Sequence, residues 1–201
     1  MLIDSAPYVK AAERLGILTP PAPGSIIKSM NSFKVGDRII YPNQGLAVIE
    51  DIHDENLYGE KFKIYYIRIL CNKTLVLVPS ANTDEMGIRR PLPEDSVEEI
   101  FRFLKKGHVD VSTDWKGRYK EHVSLMRSGT ILDMAAVLKS LYYLSLTKPL
   151  SFREKKMLEK AKELLVAEIS EVSDLPLSKI ERRIADTLAG CFKSVKANLE
   201  L

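Results

Sequence analysis

The chain has 201 residues, 45% hydrophobic and 28% charged, with 10 Gly and 10 Pro. That composition excludes disordered, collagenous and coiled-coil proteins and fits one ordinary soluble domain or two small ones. The net charge of +3 is small, but it is unevenly spread: residues 1–101 hold 11 basic and 14 acidic side chains, 102–162 hold 14 and 6, and 163–201 hold 5 and 7. One basic block between two acidic segments is the charge pattern of a phosphate-holding surface, and also of a solvated Lys-rich helix face. Cys71 and Cys191 stand far apart, in neither disulfide-scaffold nor zinc-ligand spacing, and His53, His108 and His122 are equally scattered. No membrane-length apolar run or secretory leader is present, so a cytoplasmic protein with reduced thiols and no metal or cofactor is expected.

Residues 1–32 are expected to form a flexible extension, because Thr19-Pro20-Pro21-Ala22-Pro23-Gly24-Ser25 resists helix and strand alike. Met30 directly precedes the first strand-like segment, which leaves residues 1–29 either as sequence upstream of the start or as an arm that docks on a partner. Strands follow: 37–41, stopped by Pro42; 46–52, after the turn Asn43-Gln44-Gly45; 62–70, after a turn at 56–60; and 74–78, after Asn72-Lys73 and stopped by Pro79. Their spacing predicts a small antiparallel barrel or strongly bent sheet over 33–91, with an edge able to accept a partner's strand.

Beyond Pro91-Leu92-Pro93 the apolar period becomes 3.6. A first helix buries Val97, Ile100, Phe101 and Leu104, opens on acidic residues and closes at Lys105-Lys106-Gly107 with a C′ glycine. Asp114 is the N-cap of a second helix with Trp115, Tyr119, Val123 and Met126 on its apolar stripe, ending at Ser128-Gly129. A third runs over 131–146. A Ser151-Glu154 capping box opens a fourth, with Met157, Leu158, Ala161, Leu164, Leu165 and Ile169 inward. Ser178 and Glu181 repeat the device for a fifth, carrying Ile184, Leu188, Cys191 and Val195. The fold class expected is α+β, a small β-domain at 33–91 followed by an all-helical bundle of about five helices at 92–201.

Short-range catalytic signatures are missing: no nucleophile elbow, Gly-rich phosphate loop, His-Glu-x-x-His helix or Cys-x-x-Cys pair. The carboxylate pairs Asp54-Glu55 and Glu98-Glu99 read as surface charge, since neighbours on a helix point about 100° apart. A non-enzymatic role is expected. The most informative segment is Asp114-Trp115-Lys116-Gly117-Arg118-Tyr119-Lys120, which sets the only tryptophan at a helix start among interleaved bases. One reading makes Trp115 and Tyr119 core anchors beside a wet basic face. The other makes the segment a nucleic-acid contact.

The sequence resembles the CarD/CdnL family of bacterial transcription regulators over residues 32 to about 192. The resemblance is carried by Phe33-Lys34-Val35-Gly36-Asp37 with Tyr41-Pro42 and Gly45, by Gly59-Glu60, Val78-Pro79 and Gly87-Ile88-Arg89, by Trp115 with Arg118-Tyr119-Lys120, and by Leu150-Ser151-Phe152 through Glu154-Lys155-Lys156-Met157-Leu158. It implies a Tudor-like β-domain that binds the RNA polymerase β subunit through a sheet edge, here through Glu55, Leu57, Leu77, Val78 and Pro79. It also implies a helical domain that contacts promoter DNA without sequence specificity. The family's tryptophan, matched by Trp115, acts as a wedge at the upstream edge of the transcription bubble and stabilises the open complex. Lys116, Arg118 and Lys120 would hold adjacent phosphates, and Tyr119 would contact the backbone or pack beneath the Trp. A monomer is expected.

Three departures from the family pattern stand out. Glu55 and Leu77 replace arginines that some relatives carry, Gly117 replaces a base, and the extension at 1–29 has no counterpart. Two other readings remain: a protein-interaction adaptor without direct DNA action, and an RNA- or ribosome-associated factor.

Overall fold

A computed structural model of the protein describes residues 32–57, 60–107, 109 and 114–193, without the side chains of residues 56, 57, 60–62 and 115. The expected extension, apart from Ser32, lies outside the described residues. Among the described residues the architecture is α+β: a four-stranded antiparallel sheet, then five α-helices. None of the described helices is long and apolar enough to cross a membrane.

The strands are β1 (Arg38–Tyr41), β2 (Gly45–Leu57), β3 (Glu60–Ile69) and β4 (Leu75–Pro79), paired in the order β1-β2-β3-β4. This is an open meander; β1 and β4 do not pair with each other. The β1–β2 turn takes positive φ at Asn43 (60°) and Gly45 (88°), and the β3–β4 turn at Lys73 (59°), where the sequence places turn residues. The second strand outruns expectation: Asn56 and Leu57, read as turn residues, still pair with Lys61 and Glu60. The register shifts between Ile49 and Asp51, a bulge of the kind that bends a long strand. A single bridge between Ile40 and Arg89 extends the β1 side, whereas among the described residues β4 is an edge.

A first hydrophobic cluster gathers Phe33, Ile39, Ala47, Ile49, Tyr65, Ile67, Ile69, Val78 and Ile88. A second, from Leu92 to Phe192, unites the helices α1 (Val97–Lys105), α2 (Trp115–Ser128), α3 (Ile131–Thr147), α4 (Phe152–Ser173) and α5 (Leu177–Cys191). The predicted inward residues of α1 are all buried, but its end is not the expected glycine cap: Lys106 is extended (φ −66°, ψ 124°) and Gly107 is absent from the positive-φ glycines. Lys139 of α3 does that job instead. Its buried ammonium donates to Phe103 O at 3.1 Å and to Lys106 O, satisfying carbonyls a C′ glycine would otherwise serve. Burial pushes the Lys139 ammonium below the ordinary lysine range.

The start of α5 is likewise corrected. Pro176, not Ser178, is the N-cap, and no side chain caps it, because Pro176 presets the chain for a helix beginning at Leu177. Glu181 reaches across to Lys162 at 2.8 Å. The Ser151-Glu154 capping box of α4 is complete.

The two clusters meet along a tight seam. Pro42, from the β1–β2 turn, sits between Gly87 and Gly129, where a Cβ on either glycine would lie 3.2 Å from Pro42 Cγ; both have φ of 70°. At the rim, Arg38 pairs with Glu171 of α4 at 2.5 Å.

Candidate nucleic-acid and partner interface

Asp114 starts α2 as expected. Its carboxylate accepts from Lys116 N at 3.1 Å and Gly117 N at 2.9 Å, placing Trp115 at the first helical position. The Trp115 side chain lies outside the described residues. A Cβ at Gly117 would lie 2.8 Å from the capping Asp114 Oδ2, so a larger residue there would require that carboxylate to shift.

The apolar stripe expected to face inward is rotated. Of its members Tyr119, Val123 and Met126, only Met126 is buried, and the buried polar partners beside it are Arg118 (3% exposed) and His122 (4%). Arg118 therefore departs from the phosphate-holding expectation. Its Nη2 donates to Glu154 Oε1 at 2.9 Å, and the other oxygen of Glu154 accepts from the Ser151 N–H and hydroxyl at 2.9 and 2.8 Å. One carboxylate thus caps α4 and anchors α2. A guanidinium so enclosed fixes α2 against α4. Behind it, His122 Nε2 lies 3.1 Å from Ser140 Oγ of α3.

This polar joint titrates. Burial, the largest influence, lowers the His122 imidazole from its ordinary 6.5, with Arg118 adding to the effect and Glu121 and Glu154 opposing it. Burial alone would raise the Glu154 carboxyl, but hydrogen bonds from Ser151 and Arg118 outweigh it and hold the group below the ordinary 4.5. Between the depressed His122 value and 6.5, the unfolded chain binds a proton that the folded chain does not, so stability falls as pH drops below about 6.5. Below about 4.5, Glu154 adds a loss of the same sign. Urea titrations between about pH 5 and 8 are expected to give an unfolding free energy that rises with pH. The His122→Asn variant should flatten the rise below about pH 6.5, and an identical slope in that variant would remove His122 as its source.

Rotating Arg118 inward turns a different face outward. At 3.6 residues per turn, Lys116, Lys120 and Arg127 fall within about 40° of one another, and Glu121, the one carboxylate in α2, lies about 100° further round. All three cations are exposed, and half-buried Tyr119 and Val123 lie beside them. Tyr119, Lys120, Val123, Ser124 and Arg127 line a cleft of about 310 Å³. Arg127 was missed in the sequence. Its signal was the i+11 spacing from Lys116.

A second aromatic adjoins the joint. Phe152, the first residue of α4, is 72% exposed, with the Lys156 ammonium 4.6 Å from its ring centroid and exposed Lys148, Arg153 and Lys155 around it. The capping box located its helix start, but only its absence from the inward stripe marked it as outward. Both helices thus begin with an aromatic at the first position, behind a side-chain cap, and the Arg118–Glu154 pair ties the two starts together.

On the sheet, Val78 is 1% exposed and belongs to the core, so its side chain cannot be a docking contact. Leu77 lies on the opposite face, cross-strand from Tyr66, and is half-buried. Since Ile69 N donates to Thr74 O, the antiparallel alternation turns the backbone groups of Val76 and Val78 toward β3 and those of Leu75 and Leu77 toward the open edge. Pro79 ends that edge, cross-strand from Ile64, which also faces His53; Glu55 and Leu57 lie further along the β2–β3 hairpin. Of the paired carboxylates, Asp54 lies 3.8 Å from Lys63, and Glu98 accepts from Arg183 at 2.5 Å. No metal-holding group of His, Cys, Asp or Glu occurs among the described residues.

Comparison with known proteins adds family matches to this geometry. Residues 33–92 match the model of the CarD-like/TRCF RID domain, and residues 99–185 match that of the CarD C-terminal domain. The chain is similar to "Putative transcription factor YdeB" of Bacillus subtilis (strain 168), at 30% identity over 149 residues, which is 74% of this chain and 97% of that protein.

Proposed function

The chain belongs to the CarD family of transcription regulators, and on that premise we propose that it bridges RNA polymerase and promoter DNA and stabilises the open complex. The observation that carries the DNA half is the exposed cationic arc of α2 that begins beside Trp115. From Lys116 to Arg127 the arc spans about 16 Å, or about five steps of one DNA strand at ~3.4 Å each. Point charges spaced along a groove hold phosphates without reading bases. Trp115 then acts as the wedge, stacking where a base step has opened at the upstream edge of the bubble. Phe152 and Lys156, at the start of α4, supply a second ring and cation.

The polymerase half uses the β4 edge, where Leu75 and Leu77 offer backbone donors and acceptors to a strand of the β subunit, with Glu55 and Leu57 meeting the same surface from the hairpin. Leu77 adds apolar contact where some relatives use arginine. Docking on polymerase raises the effective concentration of the DNA-binding face, so DNA affinity alone need not be high.

The test is salt dependence on a promoter fragment with a preformed bubble. Replacing Lys116, Lys120 and Arg127 together by alanine should lower the slope of log K against log salt by about 2.7, near 0.9 per lost phosphate contact. An unchanged slope would take these residues off the phosphates. Copurification of polymerase with no change in open-complex lifetime would favour an adaptor without DNA action.

A further inference from the structure

Arg89 lies between the two hydrophobic clusters, and its polar groups reach different elements. Its backbone pairs with Ile40 of β1 in both directions: Ile40 N donates to Arg89 O at 2.7 Å and Arg89 N to Ile40 O at 3.3 Å. Its guanidinium points into the helical half. Nη1 and Nη2 donate to the two oxygens of Glu168 at 2.6 and 2.9 Å, and Nε donates to Gly129 O at 2.9 Å. Glu168, on α4, is 1% exposed, and its Oε1 also accepts from Leu92 N at 3.0 Å. Gly129 is the C-cap of α2. One residue therefore joins the sheet, α4, and the end of the helix that bears the cationic arc.

The chemistry of the joint makes it directional. A planar guanidinium on a carboxylate fixes angle as well as distance, which a lysine ammonium cannot do. Glu168 has little water to fall back on, so the pair resists opening. Pro42, held between Gly87 and Gly129, blocks sliding along the seam.

We infer that Arg89 is a positioning residue: through Glu168 and Gly129 it fixes α2 to the sheet, and so sets the reach between the β4 edge and Trp115. The functional half of this inference rests on the two-surface reading above; the fixed placement rests on the geometry alone. Two contacts on one chain reinforce each other only if their separation matches the span they must bridge. Loosening Arg89 should therefore leave each contact intact and weaken the pair.

The experiment uses the full chain with Cys191→Ser, spin-labelled at the exposed Cys71 in the β3–β4 turn and at Glu121→Cys, an exposed position of α2 turned away from the cationic arc. Interspin distances are measured for this parent and for Arg89→Lys and Glu168→Gln, alongside polymerase binding, promoter-fragment affinity and open-complex lifetime. The parent should give one narrow distribution and both variants a broadened one. Each separate affinity should stay within about twofold, while lifetime falls roughly threefold or more. Unchanged widths in both variants overturn the inference, as does a broadened distribution with the parent's lifetime. If the parent itself fails to prolong the open complex, the two-surface reading falls, and the widths still decide whether Arg89 fixes α2.

Discussion

Trp115→Ala is expected to shorten the open-complex lifetime at a responsive promoter by about tenfold, with recovery of polymerase unchanged. The magnitude follows from stacking: one base on one aromatic ring is worth about 1–3 kcal/mol, which is roughly 5-fold to 150-fold in a dissociation rate. An unstacked step costs only a few kcal/mol, so a single stacked ring is on the scale needed to shift the opening. Trp115 is suited to this place because Asp114 fixes the helix start immediately before it. Phe152→Ala should give a smaller loss of the same kind, since its ring opens the neighbouring helix. A Trp115→Ala lifetime equal to the parent's would remove the wedge, whatever the salt slopes show.

Arg118→Ala is expected to cost roughly 3 kcal/mol of folding stability, the scale found when one partner of a buried ion pair is removed. The loss should be large because Glu154 is shared: it caps α4 through Ser151 and holds α2 through Arg118. In Arg118→Ala the carboxylate keeps its cap but loses its counter-charge, beside the buried His122. Urea unfolding measures the cost, and a second readout separates placement from contact. If Arg118 only places α2, the salt slope of DNA binding in the variant equals the parent's at temperatures where both are folded. A slope reduced by about 0.9 would return Arg118 to the phosphates. A stability loss below about 1 kcal/mol would mean the pair is not buried in solution.

Much of the fold was legible because it depends on local chemistry. Turn residues bracket each β-branched run, and the strands appear there with boundaries shifted by a few residues. Asp114 and the Ser151-Glu154 box marked two helix starts to the residue, since a side-chain cap acts within three positions. What was not legible depends on distant partners. The inward face of α2 turns on Glu154, 36 positions from Arg118, and on Ser140, 18 positions from His122. Without those partners, a guanidinium and an imidazole look like surface groups. The end of α1 is set by Lys139, 33 positions beyond Lys106.

In β4 the run Leu75-Val76-Leu77-Val78 is apolar at every position, so no alternation told the edge-facing residues from those of the core. The family resemblance named segments, α2 and β4, without the orientation of their side chains. It could not say that Val78 faces inward or that Arg118 is enclosed.

The seam at Pro42 bears on how freely the two halves can be exchanged. Gly87 belongs to the segment that follows the sheet and Gly129 to the helical half; both have φ of 70°, and a Cβ on either would lie only 3.2 Å from the proline ring. A hybrid made by joining this sheet to a relative's helices inherits only one wall of that slot. Unless the incoming half brings a glycine at the position of Gly129 and a carboxylate at that of Glu168, the graft is mismatched where its parts must register. The halves are modules in sequence, but as interchangeable parts they come only as a matched pair.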